Sequence, residues 1–377
     1  MGERGIEPMR TEFEIKQGDA LAVLRTLEAE SVQCCVTSPP YYGLRSYKTV
    51  PQIWDGDEFC DHEFTTTAAK LLNANRNGKG SVTLEGGSGE YRQALHGHDV
   101  GQAGFCSNCG AWRGELGLEP TFQLYIAHLL QIFAEVRRVL KKDGCCFVNL
   151  GDSFAGSGKG IGDKNGHGKS VFTDDHIEKT DWSQIDIRAK SLMNIPHRFF
   201  IGMTDELRMI QRNNINWWKR ACMPSSATDR WTVDFESIGF FTKNARYKFN
   251  QQKERTLTFD VSVRNRDIGK LNNTPGKTRS AGLKTNAYEY KNQRTTWDIS
   301  FEPQSHDHYA SYPTKLVERM ILASTDEGDT VLDIFTGTGT TLLTALRHKR
   351  NALGIELQPD YIKIAEKRLK EVSVKLF

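Results

Sequence analysis

Apolar positions along the chain recur with two different periods, and the changes of period divide it into strands and helices. Phe13 opens a short strand before a turn at Gly18-Asp19, and Leu21, Leu24 and Leu27 then follow at helical spacing from Ala20. The apolar run Val32 to Val36 reads as a buried strand that passes directly into Thr37-Ser38-Pro39-Pro40-Tyr41-Tyr42. Two consecutive prolines continue neither a strand nor a helix interior, so the chain must leave the sheet there. Polar and aromatic side chains are thereby held at a strand's C-terminal end, where open α/β sheets bind ligands.

Further along, Leu124, Ile126, Leu129, Leu130, Phe133, Val136 and Leu140 mark a helix from Thr121 that Asp143-Gly144 is expected to end. Cys145 to Leu150 then reads as a buried strand delivering Gly151-Asp152-Ser153, and Ile215–Trp218 and Ser237–Thr242 as aromatic-rich strands. From Tyr312 the order is helix (Pro313 to Ser324), strand (Thr330 to Ile334), glycine turn, helix (Thr341 to His348), strand (Ala352 to Ile355) and helix (Pro359 to Val372). Asn73 to Gly104, rich in Gly, Asn, Ser and His, keeps no period and reads as an insertion or mobile loop. Ala155 to Gly162 is glycine-rich, but Lys159 is not followed by Ser or Thr, so it is no phosphate-binding P-loop.

Composition narrows the class. With 377 residues, 38% hydrophobic and 26% charged, the chain is long enough for one large core or two. No run approaches the roughly 18 apolar residues of a membrane span, and the first ten residues lack the apolar centre of a secretory signal, so a cytoplasmic location is expected. The eight Cys, with adjacent pairs Cys34/Cys35 and Cys145/Cys146, do not form a disulfide framework, and those four read as buried strand residues. Charge is unevenly spread: Lys243 to Arg294 carries 13 Lys+Arg against 4 Asp+Glu, a local +9 within a chain of net +3. A basic block in an acidic body is the footprint of a polyanion-binding face, with Arg264, Arg266 and Lys270 as candidate phosphate contacts. Tyr247, Phe249, Asn250, Tyr288, Tyr290 and Trp297, interleaved through and just beyond it, suit base stacking and base-edge hydrogen bonds.

Val331-Leu332-Asp333-Ile334-Phe335-Thr336-Gly337-Thr338-Gly339-Thr340-Thr341 is a strand, a tight glycine turn and a helix start. Gly337 and Gly339 let backbone approach a ligand, the helix N-terminus offers free N–H groups, and Glu356 ends the next strand where a carboxylate accepts both hydroxyls of a ribose. This is a nucleoside-binding βαβ unit. It departs from the dinucleotide pattern because Leu342 stands where the third glycine would be.

The D-x-F-x-G-x-G-T string resembles the S-adenosylmethionine motif of methyltransferases, and with Ser38-Pro39-Pro40-Tyr41 preceding it the chain resembles the beta class of amino DNA methyltransferases. The resemblance implies a Rossmann-like, S-adenosylmethionine-dependent methyltransferase sheet with an inserted target-recognition region and base flipping from duplex DNA. It implies cofactor contacts from Asp333, Phe335, Gly337, Gly339, Thr340 and Glu356, and from Asp19 on the adenine amine. The tetrad's chemistry follows from the substrate. An exocyclic amine is a poor nucleophile because its lone pair is delocalised, so acceptors on its two N–H groups must favour a pyramidal nitrogen. The Ser38 hydroxyl and the Pro39 carbonyl are the candidates, Pro40 helps fix that carbonyl, and Tyr41 is expected to stack on the flipped base. Serine in the first position resembles cytosine-N4 enzymes and aspartate the adenine-N6 form. Carbon-5 chemistry is excluded, since no Pro is followed by Cys.

Cys60-Asp61-His62 and Cys106-Ser107-Asn108-Cys109 form a separate constellation with the ligand types of a closed structural zinc site, in which His96 or His98 is an alternative to His62. A zinc-pinned insertion at 55–118 would then interrupt a methyltransferase domain of 11–54 and 119–243, followed by a target-recognition region at 244–311 and a cofactor-binding half at 312–377. A cognate restriction endonuclease is a candidate partner, whose existence the sequence leaves open. The rivals are an RNA or protein methyltransferase of the same fold and a non-catalytic, zinc-dependent DNA-binding protein.

Overall fold

The computed structural model describes residues 11–44, 46–47, 49–66, 104–155, 187–188, 190–222, 224–255, 290–300 and 312–376. Arg264, Arg266, Lys270, Tyr288, His96, His98 and most of both glycine-rich stretches lie outside them.

The principal sheet takes strands from both ends of the chain: β1 (Phe13–Gln17), β2 (Val32–Thr37), β7 (Leu140–Leu150), β8 (Ile210–Trp218), β9 (Phe235–Thr242), β12 (Thr296–Asp298), β13 (Thr330–Asp333) and β14 (Asn351–Glu356). Their spatial order is β1-β14-β13-β2-β7-β9-β8-β12, and every neighbouring pair is parallel except the two made by β9. Such a sheet must be covered on both faces. Helices α1 (Ala20–Thr26), α2 (Phe122–Val139) and α3 (Ile195–Asp205) supply one apolar layer; α4 (Thr314–Ser324), α5 (Thr340–Arg347) and α6 (Pro359–Leu376) supply the other.

The adjacent cysteines follow from this arrangement. Successive strand residues point to opposite faces, and Cys34 pairs in register with Cys145 and Cys35 with Cys146. Cys34 and Cys145 enter the core under α4–α6, whereas Cys35 and Cys146 enter the core under α1–α3, all four fully buried.

Two elements differ from expectation. The second helix stops at Val139 rather than at Asp143-Gly144, and Leu140 already has extended backbone as the first residue of β7. Pairing with Val32 of β2 draws it into the sheet despite its helical spacing. The insertion carries a sheet of its own, β3 (Gln52–Trp54), β4 (Phe64–Thr66), β5 (Gly104–Cys106) and β6 (Trp112–Gly114), in the antiparallel order β3-β6-β5-β4. It begins at Gln52, inside the stretch assigned to the catalytic half. The small antiparallel pair β10 (Lys253–Arg255) and β11 (Tyr290–Asn292) lies within the basic block. Among the described residues no helix is long and apolar enough to cross a membrane.

Candidate active site

Thr37 ends β2 in the middle of the sheet, and its hydroxyl donates to Asp333 Oδ1 at 2.7 Å. Ser38 follows half-buried, Pro39 is buried, and the Pro40 carbonyl accepts the Tyr125 hydroxyl of α2 at 2.6 Å. The loop is thus held from beneath by α2.

Tyr41 is the hub of a polar network. Its phenol donates to Glu236 Oε2 at 2.8 Å and accepts from Asn149 Nδ2 at 2.8 Å, while the Ser38 hydroxyl donates to it at 3.4 Å. Asn149 Nδ2 also reaches Glu236 Oε2 at 2.8 Å, and Lys219 pairs with the other Glu236 oxygen. The β7–β9 register explains the meeting, since Asn149 pairs with Ile238, and Glu236, two residues before Ile238, lies on the same face. Burial first, and then the Glu236 carboxylate, push the Tyr41 hydroxyl well above the ordinary tyrosine range, so it stays protonated. The ring itself rests on Gly151, where an added Cβ would come within 2.5 Å of it. Asn149 Oδ1 is buried and has no hydrogen-bond partner among the described residues.

A cleft open to solvent runs from the ends of β13 and β14 to the tetrad. Asp19, Phe335, Gly337 and Glu356 line it, with Ser38 and Pro40 at the tetrad end. Glu356 is fixed by Gly337 N–H on Oε2 and Gln358 N–H on Oε1, both at 2.8 Å; burial raises its carboxyl above the ordinary range. Asp19 divides its role, for Oδ1 caps α1 by accepting Ala22 N–H at 2.9 Å while the residue borders the cleft.

Asp333, Gly339 and Thr340 are not among the cleft-lining residues. Asp333 is almost fully buried and accepts from Thr37, Thr341, Tyr312 and Phe335 N–H; burial raises its pKa against those donors. Gly339, at φ +83°, is needed where α5 meets α6, since a Cβ there would approach Ala365 Cβ at 2.9 Å. Thr340 begins α5 and faces Arg368 of α6. These three residues shape the turn that presents Gly337.

The insertion closes the other side of the cleft. Gln52, Trp54, Glu115 and Leu116 line it, and Glu115 accepts from the Ser46 hydroxyl at 2.8 Å and from Tyr47 N–H at 3.1 Å. Trp54 and Trp112 stack on His128 of α2, which is fully buried between Glu119 and Asp55 at 3.0 Å each. At the far end of the small sheet, one ligand atom from each of Cys60, His62, Cys106 and Cys109 falls within 4.8 Å of the others. Several aromatic and amide residues expected to meet bases have other partners. Trp297 is buried with Nε1 on Arg294 O at 2.8 Å, Tyr247 packs against Phe240, and the Asn250 amide binds Leu322 O and Thr325 O at the C-terminus of α4.

Asn149, Glu236, Lys219 and Tyr125 carry no motif that singles them out in the sequence. One signal is there: Asn149 is the polar interruption in the buried run Cys145 to Leu150.

The cleft's residues fit S-adenosylmethionine. Carboxylates at Asp19 and Glu356 suit the donors of a nucleoside, Ile334, Phe335, Ile355 and Leu357 offer apolar surface to its base, and a Cβ on Gly337 would meet no protein atom within 4 Å. A model of the N6/N4 DNA methylases matches residues 32–367. The chain belongs to the DNA methylase family. This DNA methylase is an S-adenosylmethionine-dependent enzyme of the cytosine-N4 or adenine-N6 type. It is 28% identical to the Type II methyltransferase M.XycI of Xanthomonas campestris pv. cyanopsidis over 94% of its own length and 86% of the relative's. The same identity and coverage relate it to M.Cfr9I of Citrobacter freundii. Its fold is shared with PvuII DNA methyltransferase (cytosine-N4-specific), at a TM-score of 0.52 and 17% identity, covering 98% of this chain and 93% of that one.

Proposed function

We propose that this DNA methylase methylates N4 of cytosine at a specific site in duplex DNA, on a base flipped into the space between Ser38, Tyr41 and the cofactor cleft. The carrying observation is that Ser38 stands at the tetrad end of a cleft whose other end holds Asp19 and Glu356. The cytosine-N4 specificity that the PvuII enzyme's name states agrees with this choice.

S-adenosylmethionine, when bound, offers a methyl on a sulfonium that departs as an uncharged thioether. Transfer would place that methyl on the amine nitrogen, leave the electron pair of the C–S bond on sulfur and release one amine proton to solvent. Ser38 is oriented to accept from that amine, because its own O–H is directed at the Tyr41 oxygen and its lone pairs are left for an N–H. The Pro39 carbonyl takes the second N–H. Burial and the Glu236 carboxylate keep Tyr41 neutral, and Glu236, itself paired with Lys219, and Asn149 hold it in place as the wall against which the base rests. Residues 244–311 serve as the target-recognition region, with Arg264, Arg266 and Lys270 on phosphates, and a restriction endonuclease of the same specificity accompanies the enzyme. The Type II names of the relatives support that last reading.

Mass spectrometry of nucleosides from duplex DNA incubated with the enzyme and S-adenosylmethionine tests the base. N4-methylcytosine is expected. N6-methyladenine alone would overturn the cytosine assignment, and methylation of RNA but not of DNA would overturn the substrate.

A further inference from the structure

We propose that Cys60, His62, Cys106 and Cys109 form a structural zinc site, and that this site holds the insertion sheet in place as a wall of the cofactor cleft. The second half of the proposal rests on the reading of that cleft; the first does not.

Two ligand–ligand distances match the edges of a zinc tetrahedron, and all four ligand atoms lie within 4.8 Å of one another. Zinc–sulfur bonds of about 2.3 Å and zinc–nitrogen bonds of about 2.0–2.1 Å give tetrahedral S···S edges of about 3.8 Å and S···N edges of about 3.5–3.6 Å. Cys60 Sγ lies 3.9 Å from Cys106 Sγ, and Cys109 Sγ lies 3.4 Å from His62 Nδ1. A disulfide needs about 2.05 Å between sulfurs, so the Cys60–Cys106 distance fits a shared metal and not a bond. Three thiols and one imidazole with no carboxylate among them are soft ligands that select zinc over magnesium or calcium, and four protein ligands close the site.

The surrounding backbone is arranged for thiolates. Asn108 N–H points at Cys106 Sγ at 3.4 Å, and the Cys106-x-x-Cys109 turn closes through Gly110 N–H to Cys106 O at 3.0 Å with Gly110 at φ +79°. The two halves are joined independently of any metal by Asn108 Nδ2 to Asp61 O at 2.7 Å and Ser107 N–H to Glu63 O at 2.8 Å. The His62 ring lies over Gly56, where a Cβ would approach it at 3.2 Å.

The small sheet transmits the clamp. The ligand Cys106 ends β5, β5 pairs with β6, and β6 pairs with β3. β3 carries Gln52 and Trp54 into the cleft, and Glu115 and Leu116 follow directly on β6. Each strand has three residues, too few to hold register by backbone pairing alone. A metal fixing one end supplies what the short strands lack.

The test uses the full chain purified without added metal. Elemental analysis should find about one zinc per chain, and cobalt exchanged into the protein should give the ligand-field bands of a tetrahedral thiolate site. Cys106→Ser with Cys109→Ser should lose the metal and weaken S-adenosylmethionine binding by roughly tenfold or more, because the wall must then be ordered at the expense of binding. His62→Cys, which preserves four ligands, should keep both. Folded, cofactor-binding protein with no zinc and no tetrahedral cobalt spectrum would overturn the metal site. Loss of zinc with unchanged cofactor affinity would overturn the coupling, and neither result depends on which base is methylated.

Discussion

Thr37 and Asp333 are joined by a 2.7 Å hydrogen bond that ties the end of β2, just before Ser38, to the end of β13, just before the glycine turn. The two come from positions 296 residues apart. Asp333 also receives the Tyr312 hydroxyl at 3.1 Å and the Thr341 hydroxyl at 2.6 Å, so one carboxyl group joins β2, β13, the approach to α4 and the first turn of α5. An aspartate in the glycine-turn motif thereby sets the distance between the methyl-donor cleft and the tetrad, and does so without bordering the cleft.

Removing that carboxyl should be felt first as lost stability. Asp333→Ala leaves several buried donors unsatisfied at about 1–3 kcal/mol each, whereas Thr37→Val keeps the shape and removes one donor at a cost of about 1 kcal/mol. Urea unfolding of the two single variants and the double variant should give a positive coupling energy. Additive losses would mean the bond does not join the strands.

Turnover should depend on Ser38 and on what orients Tyr41. Ser38→Ala should lower kcat roughly a hundredfold, as for loss of one preorganised catalytic hydrogen bond, with cofactor affinity nearly unchanged. Gly151→Ala should do the same more mildly, by roughly tenfold, because its Cβ would displace the Tyr41 ring from 2.5 Å. Single-turnover methylation and calorimetry separate the two effects. Equal losses in cofactor affinity would place Ser38 in binding rather than chemistry.

Cofactor affinity should be pH-dependent through Glu356. Burial raises this carboxyl in the free protein, and the ribose hydroxyls are better accepted by the ionised form. Ionised Glu356 therefore favours binding, and affinity is full above its raised pKa and falls as pH drops through it. The fall begins at higher pH than the roughly 4.3 of an ordinary glutamate predicts. Calorimetry in a pH series should find this slope in the native enzyme and a weak, flatter profile in Glu356→Gln. The same slope in both would remove Glu356 as its source.

The basic block should give DNA affinity a steep salt dependence, since each neutralised phosphate releases counterions. Replacing Arg264, Arg266 and Lys270 with alanine should weaken DNA binding and reduce the slope of log affinity against log salt by about 3. Cofactor binding should be untouched. An unchanged slope would move the phosphate contacts elsewhere.

What the chain order by itself determined was local. The apolar period located β2 and β13, the Pro39-Pro40 pair ended the first in a polar loop, and the glycines after Asp333 marked the second as a ligand-binding turn, because strand ends and tight turns are dictated by sterics over a few residues. Cys60, His62, Cys106 and Cys109 were recognisable for the same reason, from residue type and short spacing. Tertiary structure decided which of these residues face each other. Tyr41 finds Glu236 and Asn149 only through the β2–β7–β9 order and register. Likewise, Asp333 and Gly339 carry the cofactor motif's pattern but are spent on Thr37 and Ala365, since their neighbours come from strands and helices far away in the chain. The insertion sheet became a wall of the cleft because Trp54 and Trp112 stack on a buried His128 of α2, a packing choice that short-range pattern does not encode.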